Sequence, residues 1–243
     1  QRLARAQALL QRPLDQFINP FDAVFVPLLS RLQNQPQRYR EVFLKAHGAV
    51  ALLSFPFAGL LMGLAEPLVI ALLGPKWSGV APIFGWFAVS ALHIPMVYSS
   101  MWLLSTQARS RDLIIVGFAS PLVTIAAVAI GIPFGAVGVA LALTVGGTLV
   151  RLPIHYYVAG RTGPVSAGDM WLVFARYLPL WAVVGIITWA ARYLVRTEAA
   201  WIQLAVGGIS GGIAGLGLIA VWPALRLEAR YFFDQVMRRR QPV

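Results

Sequence analysis

The chain has no cysteine, which excludes disulfides, thiol nucleophiles and cysteine-bound metals as organising chemistry. Acidic residues are scarce too, with nine Asp and Glu against 20 Lys and Arg in 243 residues. The only histidines are His47, His93 and His155, and five residues after each stand Leu52, Tyr98 and Gly160, so the His–Asp spacing of a membrane acyltransferase is missing. No Asp-x-Asp triplet is present to hold a sugar-nucleotide metal. No enzyme chemistry, metal or cofactor is expected from these residues.

Apolar residues are abundant. They make up 58% of the sequence and mean hydropathy is +0.71, more than a water-soluble domain of this size has interior to hide. The bilayer must serve as solvent. The basic excess then reads as a topology signal rather than a nucleic-acid footprint, because most Trp and Phe lie inside or at the ends of apolar runs. No nucleic-acid partner is expected.

A spanning helix needs roughly 20 apolar residues. Spans are predicted at Ala46–Ala65, about Val80–Leu104 with Trp77 and Trp102 near the interfaces, about Val173–Val195, and Trp201–Pro223. Leu113–Val150 is too long for one helix, and GIPFGAVG at 131–138 predicts a tight turn that splits it, the second half running on through Arg151 to about Val158. Turns are predicted near 31–40, 66–79, 105–112, 131–136, 159–170 and 196–200. Gly74-Pro-Lys-Trp77, following Glu66-Pro67 and the apolar Leu68 to Leu73, reads as a short external segment at the membrane surface. The basic tail, with Leu225, Ala229, Phe232, Phe233, Val236 and Met237 at helical spacing, suits either a helix on anionic lipid or a solvated end.

The first 30 residues differ. Arg2, Arg5, Arg12, Asp15 and Asp22 interrupt an apolar segment that also carries Pro13, Pro20 and Pro27. Charge at membrane depth survives facing protein or a watery cavity, which predicts a kinked, cavity-lining first helix. That gives an all-α polytopic bundle of about seven transmembrane helices. Arg151, His93 and His155 are the other ionisable groups placed in spans, and so further cavity candidates. His47 is assigned to the cytoplasmic interface.

With alternating sides, Arg31, Arg38, Arg40, Lys45, Arg109, Arg111, Arg161, Arg176 and the five arginines of the tail fall on one side. Lys76, Arg192 and Arg196 fall on the other. The positive-inside rule therefore predicts a cytoplasmic C-terminus and an external Gln1. The chain opens on Gln1 without a signal-peptide pattern and is read as a piece of a longer protein.

Gly208-Ile-Ser210-Gly-Gly212 matches a serine-nucleophile pattern, yet no His follows Ser210 to take its proton. Gly207, Gly211 and Gly215 instead predict a small-residue face for close helix packing.

The segment RAQALLQRPLDQFINPFDAVFVPLLSRLQNQPQRYR (5–40) resembles the helix of oligosaccharide flippases that ends in an FPxLSR signature, with Pro27, Ser30 and Arg31 matching and Val26 inserted after Phe25. GPKWSGVAPIFGWFA (74–88) and GAVGVALALTV (135–145) also look like this family, the polysaccharide-transporter branch of the superfamily that includes multidrug extruders and the lipid II flippase. The resemblance implies the C-terminal half of a two-lobe transporter: 1–158 the second lobe lacking its first helix, 159–223 two additional helices, 224–243 a cytoplasmic tail. It implies a bacterial cytoplasmic-membrane flippase for an undecaprenyl-diphosphate-linked oligosaccharide of capsule, exopolysaccharide or O-antigen. The implied partners are that substrate, membrane lipids, the missing N-terminal lobe and the polysaccharide assembly machinery. Arg5, Arg12, Asp15, Asp22, Arg151, His93 and His155 would line its cavity, the arginines holding the diphosphate. Ala8 stands where lipid II flippases carry an arginine, five residues before Pro13, which favours a repeat-unit substrate. The alternatives are a lipid II flippase and a cation-coupled multidrug extruder, in which Asp15 and Asp22 would bind the ion.

Overall fold

The computed structural model describes residues 22–196, 199–223 and 225–226. Among these there is no strand, and the chain is an all-α polytopic membrane protein. In order it runs through α1 (22–31), α2 (Pro36–Gly63), α3 (Ala65–Leu73), a 3-10 segment (Pro75–Val80), α4 (Ala81–Ser90), α5 (Ile94–Thr106) and α6 (Ser110–Gly131). A 3-10 turn (Ile132–Phe134), α7 (Gly135–Gly146), a π-turn (Gly147–Arg151), α8 (Leu152–Gly160), α9 (Ala167–Leu194) and α10 (Ala200–Val221) follow.

Among the described residues five stretches are long and apolar enough to cross a bilayer: Pro36–Gly63, Pro75–Thr106, Ser110–Gly160, Ala167–Leu194 and Ala200–Val221. The third, of 51 residues, is twice the length one crossing needs. It turns back at the predicted place. Gly135 takes a φ of +70°, and a Cβ on Gly131 would stand 2.8 Å from the Gly138 carbonyl oxygen, so only glycine allows this closure. Ser120 then meets His155, and Asp112 meets Arg161, as an antiparallel hairpin requires. Phe118, Leu122 and Ile125 on its outer face are 72%, 65% and 64% exposed, a surface suited to lipid and not to water.

Small residues hold the other helices together. Gly207, Gly211 and Gly215 of α10 are buried against Val184 and Thr188 of α9 and Leu64, so the glycine run is a packing face as the sequence predicts. A second such face was less visible. Gly59 and Gly63 let α2 approach α9 so closely that a Cβ at Gly59 would lie 2.7 Å from the Trp181 carbonyl oxygen.

Four differences from the sequence reading are local. The α2 helix starts at Pro36, so charged Arg38, Arg40, Glu41 and Lys45 extend the apolar span instead of forming a loop. The predicted turn at 66–79 is mostly helical, as α3 and a 3-10 segment. The single span predicted over 80–104 is two helices with a break at 91–93. His47 is fully buried, far from an interfacial role. Its chain of bonds has one consistent direction. Ser99 gives its proton to backbone carbonyls of Pro95 and Met96 (3.0 and 3.1 Å), so its oxygen accepts from His47 Nδ1 (2.7 Å) while Tyr156 donates to Nε2 (2.9 Å). Every polar group in that chain is satisfied, which makes it a structural network.

Both ends of the bundle are stitched by polar bonds. At one end Arg40 pairs with Asp169 (2.6 Å), Asp112 pairs with Arg109 and Arg161, and Tyr39 donates to Thr106 (2.6 Å). Asp169 also closes a capping box with Ser166 at the start of α9. At the other end Arg192 pairs with Glu66 (3.0 Å). The loops carrying most of the basic residues thus meet at a single end.

Candidate functional site

The break in Pro75–Thr106 and the π-turn in Ser110–Gly160 have the same cause. Pro95 has no N–H and its ring collides with the carbonyl four residues back, at Ala91, so α4 cannot continue into α5. The chain passes through tighter bonds instead: Ala91 to Ala88 (3.1 Å), Leu92 to Val89 (3.0 Å) and His93 to Ser90 (3.2 Å). Pro153 does the same to Leu149, and the helix widens into the π-turn just before it. An ionisable residue sits two positions before each proline: His93 before Pro95 and Arg151 before Pro153.

The fold brings these two irregular points together. Arg151 Nη2 donates to His93 Nε2 at 2.9 Å, and His93 Nδ1 lies 3.1 Å from Thr148 Oγ1 inside the π-turn. Guanidinium has no acceptor, so Nε2 must be the bare nitrogen and Nδ1 must carry the proton donated to Thr148. The ring occupies the space where a Cβ of Gly147 would be, which fixes its plane. His93 is 1% exposed, and it stands 13 residues from both Val80 and Thr106, about 20 Å along the helices from either end.

One turn beyond Arg151, buried His155 bonds through Nε2 to Ser120 Oγ (2.9 Å) on α6. Two nitrogens of the cluster, Arg151 Nε and His155 Nδ1, are buried with no partner. Among the described residues Arg151 makes no ion pair. The carboxylates are engaged elsewhere: Asp22 accepts from Trp102 Nε1 (2.5 Å), Glu66 pairs with Arg192, Asp112 with Arg109 and Arg161, and Asp169 with Arg40, while Glu41 is exposed near the start of α2. The arrangement is a cation at membrane depth, steadied by a neutral imidazole and supplied with spare donors. Such a group can accept an anion or exchange partners.

Three of the sequence-predicted site residues, His93, Arg151 and His155, therefore share one cluster. Asp22 does not join it; its partner Trp102 is nine residues along from His93, about 13 Å. Arg5, Arg12 and Asp15 lie outside the described residues. Thr148, Ser120 and Gly147 were not singled out from sequence; Pro95 and Pro153 could not have marked the place alone, since Pro56, Pro121 and Pro179 lie inside unbroken helices.

Residues 3–82 match the model of a family described as polysaccharide biosynthesis protein, about a third of the chain. No curated protein and no solved structure matches. The family match, on a polytopic helical bundle, supports a transporter-like membrane protein of polysaccharide biosynthesis, without a particular flippase subtype.

Proposed function

We propose that this chain is the C-terminal half of a bacterial inner-membrane flippase that carries an undecaprenyl-diphosphate-linked oligosaccharide from the cytoplasmic to the external leaflet by alternating access. The observation that carries this reading is the family match, because it covers the segment in which Arg5, Arg12, Asp15 and Asp22 interrupt an apolar run. A cationic lining suits a diphosphate, since arginine pairs bidentately with phosphate oxygens where water is scarce. Arg151 adds a cation at mid-depth from a different helix. The tail and the loop before α2 face the cytoplasm in this reading, where the basic residues collect.

The test is complementation of a strain lacking the full-length flippase, scored by cell-surface polysaccharide at matched protein level. Arg12→Ala is expected to lose most export. A desolvated, charge-assisted contact is worth about 1.5–3 kcal/mol, whereas Lys76→Ala, at an exposed position, should change export little. Normal export by Arg12→Ala would remove the cationic-cavity basis of the proposal.

A further inference from the structure

His93 Nε2 has one lone pair, and Arg151 holds it. The same nitrogen cannot bind a proton while accepting that hydrogen bond. Nδ1 already carries its own proton toward Thr148, so the ring has no second basic site to offer. We propose that His93 Nε2 is a proton-binding site whose occupancy is exclusive with the Arg151 contact, so that release of Arg151 toward another acceptor is coupled to uptake of one proton from water. The step is balanced: the Arg151 N–H bond stays intact, its hydrogen bond to Nε2 is lost, and a new Nε2–H bond forms at the expense of a hydronium or water proton.

The surroundings make the exchange two-state. Gly147 supplies the slot that pins the ring, so His93 cannot rotate to present a different atom to Arg151. Protonated Nε2 would place an N–H and a positive charge against a guanidinium, and both groups are donors only. Arg151, in contrast, has room to leave, being only partly buried, with Nε unpartnered and its backbone in a π-turn. Of the titratable and charged groups nearest His93, Arg151 bonds to it, His155 lies one turn beyond Arg151 and bonds to Ser120, Tyr98 is exposed, and His47 on α2 has both nitrogens bonded to Ser99 and Tyr156; the carboxylates of α2 and α6 lie toward the helix starts, Glu41 exposed and Asp112 paired with Arg109 and Arg161. Among the described residues no carboxylate bonds to either His93 or Arg151. Proton and arginine then compete for a single lone pair. By linkage, whatever draws Arg151 away raises the affinity of His93 for a proton, and a proton on His93 raises the affinity of Arg151 for that acceptor by the same factor. The inference does not depend on what cargo is moved.

The experiment is solid-state NMR of ¹⁵N-histidine-labelled full-length protein in lipid vesicles, with His93→Asn identifying the resonances. At neutral pH the wild type is expected to show His93 with Nδ1 protonated and Nε2 bare. In Arg151→Leu, His93 should take up a proton at a proton concentration at least tenfold lower than in the wild type. Where Arg151→Leu does not fold, Arg151→Gln, which keeps a neutral donor, should shift in the same direction by a smaller factor. An Nε2–H tautomer in the wild type would overturn the proposal without recourse to any variant. Equal proton affinity in the wild type and the Arg151 variants would overturn it as well.

Discussion

Arg109→Ala is expected to destabilise the bundle far more than loss of any exposed charge. Arg109 follows Ala108, whose φ of +53° turns the chain from α5 into α6. Its guanidinium is 12% exposed and donates to Asp112 (2.7 Å) and to the carbonyl oxygens of Val158 (2.7 Å), Ala159 (2.6 Å) and Thr162 (2.9 Å). Val158 and Ala159 lie in the last turn of α8, where carbonyls have no partner within the helix, and a cation there also suits the helix dipole. Truncation leaves those carbonyls unmatched in a buried place and leaves Asp112 with Arg161 alone. Removing one member of a buried ion pair costs about 3–5 kcal/mol. Because Arg161 still neutralises Asp112, the low end applies, about 3 kcal/mol, or roughly 150-fold in the unfolding constant. The assay is reversible unfolding of the full-length protein in mixed micelles by added SDS, followed by far-UV circular dichroism. Arg40→Ala is the comparison: its pair with Asp169 is 46% exposed on the arginine side, so water and salt screen it and the loss should be small. An Arg109→Ala protein no less stable than Arg40→Ala would refute the capping argument.

Two further outcomes follow from packing and charge. Gly211→Ala should destabilise by about 1–3 kcal/mol through overpacking against Thr188 and Leu60, while Gly212→Ala, whose added methyl meets nothing within 4 Å, should be neutral or slightly stabilising; thermal unfolding of the two variants checks the contrast. Single cysteines at Gln35 and Gln241 should resist an impermeant thiol reagent applied to intact cells, and one at Ser78 should react, against the unsubstituted full-length protein as background. Reaction at Gln35 with protection at Ser78 would invert the topology.

Much of the architecture was legible because bilayer thickness imposes a length that sequence either meets or does not. The turn at 131–138 shows this well: a stretch too long for one crossing, with Gly and Pro in the middle, had to fold back, and Gly135 does supply the positive φ. The glycine face of α10 was equally readable, since its spacing fixes which residues share a side. Helix ends were harder. Charged Arg38, Arg40 and Lys45 do not terminate α2, because at the membrane boundary a helix continues into water or headgroups without cost to its backbone bonds.

By itself the sequence determined that this protein lives in a bilayer, that it is helical, and roughly where it crosses, because those follow from local hydropathy and from the backbone having no water to bond with. It also placed His93, Arg151 and His155 within apolar spans. Only the tertiary structure decided that His93 and Arg151, 58 positions apart, share one hydrogen bond, and that His47 is sealed among Ser99 and Tyr156. Which helix faces which is settled by side-chain packing between spans, and in a uniformly apolar sequence the lipid-facing and protein-facing sides of a helix carry almost the same composition.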